Sequence, residues 1–247
     1  SYHLARGDER RYKVLARIPS YHGATVTTLA IGGHMARRAG LDPLLAEWPK
    51  VPWNDAGALA TAIEAAGPDT VAAFMAEPVI GASAGALVAD DDYWQQIMEV
   101  CRHYGILFIA DEVMTGFGRT GRTWGHQHDP VQPDILVSAK GLGGGYVPMS
   151  MVSASNHVLD TISESGGSVM FFTYSGPAAM CAGALAVLDI REREGLVARA
   201  AEMGDYLQSS LRSALGDHQR VSEVRGRGLM VGVELAGVSA VNAVDAC

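Results

Sequence analysis

Two ionisable groups, each at the end of an apolar run, define the chemistry open to this chain. Residues Ile106-Leu107-Phe108-Ile109-Ala110 run into Asp111 and Glu112, and Ile135-Leu136-Val137-Ser138-Ala139 runs into Lys140, with Gly141, Gly143, Gly144 and Gly145 behind it. Short apolar runs bounded in this way read as buried, parallel strands. Open α/β sheets collect ligands beyond the carboxyl ends of such strands. A carboxylate there is costly to bury without a partner. An amine there becomes a nucleophile once burial or a neighbouring cation lowers its pKa. Asp111 and Lys140 are 29 residues apart, which suits one strand–crossover–strand step and puts acid and amine on one rim.

Each group also has an ordinary reading. A lone lysine at a strand end more often snorkels to solvent, whereas small neighbours such as Ser138, Ala139 and Gly141 leave room for a bulky cofactor against a Schiff-base lysine. Asp111 reads either as a turn former or as the carboxylate that pairs with the protonated pyridine nitrogen of pyridoxal phosphate and keeps it an electron sink. Glu112, its neighbour, points to the other side of the strand end and is assigned no catalytic role. Thr173, Tyr174 and Ser175 precede a predicted helix, where hydroxyls and free amides suit a phosphate and a plain N-cap suits them equally. Tyr21 and His22 read as core aromatics, or Tyr21 as a flat ring stacked on a cofactor.

The elements that must position these groups alternate between strand and helix. Strands are predicted over 12–18, 71–76, 106–111, 134–139 and 147–153, with one bent or two short strands over 221–235. Helices are predicted over 25–38, 56–66, 91–104, 156–163, 178–193 and 196–215. Residues 41–55, 79–89 and 166–176 read as loops, and the tail after 236 is weakly patterned. This order defines an α/β class with a largely parallel sheet.

At 247 residues, 48% hydrophobic and 19% charged, the chain has enough apolar material for a full core. A formal net charge of −8 disfavours nucleic acid as a partner. No apolar run is long enough to span a bilayer, and the first residues contain no signal-peptide core. Cys101, Cys181 and Cys247 lack metal-ligand spacing, so no metal site is expected and a reducing cytoplasm is the default. The start without Met, on what reads as a helix tail, suggests a fragment.

Taken together, the motifs resemble those of the class III pyridoxal-phosphate aminotransferases. The resemblance rests on Phe108-Ile109-Ala110-Asp111-Glu112-Val113-Met114-Thr115-Gly116-Phe117-Gly118-Arg119-Thr120-Gly121 and on Asp134-Ile135-Leu136-Val137-Ser138-Ala139-Lys140. Ser20-Tyr21-His22-Gly23, Ala76-Glu77-Pro78-Val79, Thr173-Tyr174-Ser175-Gly176 and Val224-Arg225-Gly226-Arg227-Gly228-Leu229 follow in family order and extend it over nearly the whole chain.

The resemblance implies the type I aminotransferase fold, a seven-stranded-type large-domain sheet flanked by helices. Residues 1–193 would form the large cofactor-binding domain, and 194–247 the connecting helix and start of a small domain. It implies Lys140 as the Schiff-base lysine that later moves a proton, and Asp111 as the partner of the pyridine nitrogen. Val113 and Tyr21 would lie on the two ring faces, Thr173 would bind phosphate across a dimer interface, and His22 and Glu77 would support. A homodimer or dimer of dimers follows. The family's Gly/Ser-Glu-Ala phosphate turn is expected upstream of Ser1, and its carboxylate-receiving arginine beyond Leu235. Gly176-Pro177-Ala178 stands where the family usually has Gly-His-Pro.

For the substrates, ornithine- and GABA-type members carry a second glutamate five residues after the one at Glu77, and here that position is Ala82. Glu77 to Ala82 with Phe117 to Gly125 look more like the ω-amino acid and amine:pyruvate transaminases. Transfer from an ω-amino acid or amine to a 2-oxo acid such as pyruvate is therefore expected. Two alternatives stand beside it: a glutamate-1-semialdehyde aminomutase, and a catalytically incompetent remnant or interaction subunit.

Overall fold

A computed structural model of the chain describes residues 1–167 and 172–245; positions 168–171, inside the predicted 166–176 loop, and the last two residues lie outside them. The first four strands of the main sheet are β1 (Lys13–Ile18), β2 (Lys50–Pro52), β3 (Val71–Ala76) and, after a small hairpin of β4 (Val79–Ile80) and β5 (Leu87–Val88), β6 (Leu107–Asp111). β7 (Ile135–Ser138) and β8 (Met151–Ala154) complete it. The order is β2-β1-β3-β6-β7-β8. Every pair is parallel except β7 with β8, which is antiparallel. The described residues thus supply six strands of the predicted largely parallel sheet.

Helices cover both faces of the sheet. Alternation along β3 sends Phe74 to one face and Ala73 to the other. Phe74, Leu15 and Phe108 pack with Leu59 and Ile63 of α4 (Ala56–Ala66) and with Trp94 and Ile97 of α5 (Tyr93–Tyr104). Ala73 and Leu107 pack with Tyr2 of α1 (Tyr2–Ala5) and with Val158 and Ile162 of α6 (Asn156–Glu164). The carboxylate of Asp55 accepts the Ala58 amide at 2.8 Å and caps α4. Gly105 closes α5 in the left-handed conformation, φ 62°, and turns the chain directly into β6.

The C-terminal part of the chain is as read from its periodicity: α7 (Ala178–Arg193), α8 (Leu196–Leu215) and an antiparallel hairpin of β9 (Val221–Arg227) and β10 (Met230–Leu235). Arg227 pairs with Asp129 at 2.6 Å, and Met230 packs on Val79 and Ala86. These contacts press the hairpin onto the loops beyond β3 and β6.

Four expectations are corrected. The helix predicted over 25–38 is two short ones, α2 (Val26–Ile31) and α3 (Met35–Arg38). Gly33 separates them because its backbone lies against β1, where a Cβ would come 2.4 Å from the Arg17 carbonyl oxygen. The predicted loops 41–55 and 79–89 contain β2 and the β4–β5 hairpin, strands too short to carry a pattern. The predicted strand over 147–153 shortens to β8 because its partner β7 ends at Ser138, which pairs with Met151 and leaves nothing for 147–150 to pair with there. The tail forms α9 (Ala240–Asp245). Among the described residues no helix is long and apolar enough to cross a membrane.

The close approach at Gly33 makes a prediction. Gly33→Ala should lower unfolding free energy by about 1–3 kcal/mol, the usual range for forcing a methyl group into a packed site. Urea titration of both proteins measures it, and equal midpoints would remove the steric account of the break.

Candidate active site

Register places the acid and the amine side by side. Asp111 is the last residue of β6 and lies opposite Val137 of β7. Pairing continues one step further, with the Glu112 amide on the Val137 carbonyl at 2.8 Å. Lys140 follows three residues later on the neighbouring strand end. Lys140 has φ 39°, a left-handed backbone that residues with a Cβ rarely adopt. Such conformations concentrate at functional sites and persist only where the surroundings impose them. Here hydrogen bonds from Leu142 to the Ala139 carbonyl, 2.9 Å, and from Gly143 to the Lys140 carbonyl, 3.1 Å, impose it.

Lys140 borders a cavity of about 780 Å³ together with Val113, Ala82, Phe117, Tyr146, Arg191 and Met230. The volume lies in the range of small-molecule sites. The chain has three lysines. Lys13 donates to the Ala66 carbonyl, and Lys50 to the carbonyls of Ala30 and Trp48. Burial, with Arg38 nearby, lowers the Lys50 amine to about 8, but Lys50 lies away from the cavity. Lys140 is the exposed one, and no described residue accepts a hydrogen bond from its amine.

The two carboxylates after β6 have separate surroundings. Asp111 is buried; its Oδ2 accepts from Nδ1 of His22 at 2.8 Å and its Oδ1 from the Val113 amide at 3.0 Å. The other ring nitrogen of His22, Nε2, is buried without a partner among the described residues. Glu112 is fully buried and takes four hydrogen bonds. Oε2 accepts from Thr115 Oγ1 at 2.5 Å and the Gly125 amide at 2.8 Å. Oε1 accepts from the His126 amide at 2.9 Å and its Nδ1 at 2.7 Å. Glu112 therefore ties the 115–126 loop to the strand end and is saturated, which leaves Asp111 for chemistry.

Glu77, at the end of β3, is buried and accepts the Tyr21 amide at 3.3 Å. Desolvation holds its carboxyl above the ordinary value, opposed by His22 and Arg17 and assisted by Asp111. Arg17 is buried beneath it, donating to the Glu77 carbonyl oxygen and lying 5.1 Å from the Trp94 ring centroid.

Tyr21, His22, Glu77 and Asp111 thus form one group, and Val113 and Lys140 meet at the cavity beside it. The Arg37 guanidinium covers one face of Tyr21, 4.4 Å from its centroid. Thr173 is not brought to this group. It sits exposed in a turn closed by the Ser175 amide on the Phe172 carbonyl at 2.9 Å. Nor do Thr173, Tyr174 or Ser175 cap α7, whose N-cap is Pro177. His126, Arg17 and Arg191 were not anticipated, because nothing in their local pattern marks a buried partner far along the chain. Among the described residues no group of side chains could hold a metal ion.

Comparison with known proteins places this arrangement. The family description Aminotransferase class-III matches residues 1–246. The chain belongs to the class-III aminotransferases. It is 37% identical to the diaminobutyrate–2-oxoglutarate transaminase of Halomonas elongata over 95% of this chain and 55% of that enzyme. It is 36% identical to ornithine aminotransferase 2 of Staphylococcus aureus over 95% of this chain and 57% of that enzyme. Among solved structures, an omega transaminase from Pseudomonas jessenii in complex with PMP superposes with a TM-score of 0.90 at 37% identity, covering 96% of this chain and 57% of that one. An (S)-enantioselective omega-transaminase from Thermomicrobium roseum gives 0.89 at 39%, over 97% and 57%. The chain spans somewhat over half the length of these relatives.

Class III aminotransferases use pyridoxal phosphate, and the residues here fit it. A buried carboxylate with a free lone pair on each oxygen suits a ring N–H. The uncommitted amine of Lys140, facing a cavity, suits an aldehyde carbon.

The raised carboxyl of Glu77 has a consequence for stability. The folded state holds that proton more tightly than the unfolded chain, so the contribution is present below the ordinary 4.5 and is lost as pH rises through the raised value. Glu77→Gln should therefore gain stability over wild type from about pH 5 to about pH 8. Thermal unfolding at the two pH values tests this; a constant difference would contradict it.

Proposed function

We propose that the protein carrying this chain is a pyridoxal-phosphate-dependent transaminase that moves an amino group from an ω-amino acid or amine to a 2-oxo acid such as pyruvate. The observation that supports the reading is the pairing of β6 with β7, which puts the strand end that carries buried Asp111 next to the one that leads into Lys140, and Lys140 borders a cavity. When bound, pyridoxal phosphate supplies an electron sink for the pair released as the substrate Cα–H bond breaks.

The chain's own residues do the rest. Lys140 would hold the cofactor through its amine and, once the amine donor has taken that place, its freed amine would take the substrate Cα proton and return it later in the transfer. Asp111 would accept the ring N–H and so keep that nitrogen cationic. His22 donates to Asp111 Oδ2 and holds it in place as a positioning residue, and Glu77 anchors the Tyr21 backbone. Val113 and Tyr21 would lie on the two faces of the cofactor ring. Thr173, exposed and remote, is assigned to the phosphate of a second subunit in a homodimer. Residues 1–193 are assigned to the large domain and 194–247 to the start of the small one.

The donor follows from Ala82. The sequence relatives are named for diaminobutyrate and ornithine, and the solved neighbours for omega-transamination. Ala82 borders the Lys140 cavity and offers no carboxylate to a second amino group or to a guanidinium, which supports simple amines and ω-amino acids as donors.

The full-length protein should show the visible absorption band of lysine-bound cofactor. Lys140→Ala should lose the band and lower amino transfer on the order of 10³-fold, within the range for a general acid–base residue. A retained band, or a preference for ornithine over β-alanine and simple amines, would count against the cofactor and donor assignments respectively.

A further inference from the structure

Among the described residues three that are not glycine have left-handed backbones: Ala86 at φ 60°, Phe117 at φ 59° and Lys140 at φ 39°. All three border the Lys140 cavity. A residue with a Cβ holds this conformation only where its surroundings impose it, and such residues concentrate at functional sites. Ala86 follows from the turn of the β4–β5 hairpin. The Gly85 amide donates to the Gly81 carbonyl at 2.9 Å, and Arg225 donates to the carbonyls of Ala84 and Gly85, each at 3.1 Å. Phe117 lies in no hairpin, and its constraint comes from the strand end that leads into Lys140.

The segment before Phe117 is stitched to that strand end. The Glu112 amide donates to the Val137 carbonyl at 2.8 Å, and the Glu112 carbonyl accepts from the Ser138 hydroxyl at 3.1 Å and the Gly116 amide at 2.9 Å. Gly116 has no room for a side chain, since a Cβ there would lie 2.7 Å from the Glu112 carbonyl oxygen and 2.9 Å from the Trp124 ring. From this pinned point the chain turns left-handed and lays Phe117 against the Lys140 turn, so closely that a Cβ on Gly141 would lie 3.1 Å from the Phe117 Cβ. The Phe117 ring meets Trp124 edge-on with centroids 4.7 Å apart, and the Arg191 Cζ lies 5.6 Å from its centroid.

The Lys140 turn needs outside support. Gly141, Gly143, Gly144 and Gly145 follow the lysine, and glycine loses more conformational freedom on ordering than any other residue. We propose that Phe117 is a positioning residue for Lys140: its ring, fixed by Trp124, wedges against Gly141 and holds the turn that presents the amine to the cavity. The left-handed backbone is the means, because a right-handed one would redirect the Cα–Cβ bond and take the ring off Gly141. The effect on rate rests on the transaminase reading, whereas the effect on the turn does not.

Two measurements on the full-length protein test it. In the cofactor-free protein, the Leu142 and Gly143 amides, held by the Ala139 and Lys140 carbonyls, should exchange hydrogen about 3- to 10-fold faster in Phe117→Ala than in wild type, the size of one aromatic contact. The β6 amides should exchange as in wild type. In the cofactor-loaded protein, kcat should fall by about 10- to 100-fold, the order expected for a slightly misplaced catalytic group, with KM for the amine donor unchanged. Phe117→Tyr, which keeps the ring, should recover both readouts. Phe117→Gly, which accepts the left-handed backbone without strain but has no ring, should behave as Phe117→Ala. Wild-type exchange or kcat in Phe117→Gly would overturn the assignment, and so would faster exchange spread equally over β6. If wild type transfers no amino group, the transaminase reading falls, and the exchange comparison alone decides Phe117.

Discussion

A buried strand that ends in two successive carboxylates must satisfy both, and the way this chain does so organises everything around it. Ionised carboxylates are tolerated inside a protein only where hydrogen bonds or cations replace their water. Glu112 meets the requirement with four donors drawn from Thr115, Gly125 and His126. That solution fixes the loop after β6, and with it the side of the cavity formed by Phe117 and its glycine neighbours. Asp111 meets it with one histidine and one amide, and retains lone pairs for a further donor. The alternation of the backbone makes one of the adjacent acids a structural clamp and the other a functional group.

The same economy governs the cations. Lys13 and Lys50 commit their amines to backbone carbonyls, those of Ala66 and Ala30. Arg17 lies under Glu77 and against the aromatic pair Tyr93 and Trp94, joining the acid end of β3 to the core. Arg119, Lys140 and Arg191 all border the cavity. A cavity walled by apolar groups, three cations and no acid is an environment for an anionic molecule.

Much of the architecture was legible in the sequence because its long elements bury one continuous face. Leu59 and Ile63 mark α4, Gly105 marks the end of α5, and the runs before Asp111 and Lys140 mark the paired central strands. The short elements were not legible. Three residues of β2 and two each of β4 and β5 carry no period, and they exist because neighbouring strands offer them hydrogen bonds. Gly33 does not mark a break in the helix predicted over 25–38 until its close approach to Arg17 is seen. The site divides in the same way. Asp111, Lys140, Tyr21 and His22 stand beside strand ends in recognisable motifs, whereas His126 and Arg191 acquire their significance only from partners that folding brings, or fails to bring, within reach.

The central claim is that Lys140, rather than Lys50 with its lowered pKa, is the amine that engages a carbonyl. Borohydride reduction of the full-length protein in the presence of pyridoxal phosphate, followed by peptide mass analysis, tests it most directly. The account predicts that the reduced cofactor mass resides on the peptide containing Lys140 and is absent from those containing Lys13 and Lys50. Label on Lys50, whose amine is lowered to about 8, with Lys140 unmodified, would contradict it.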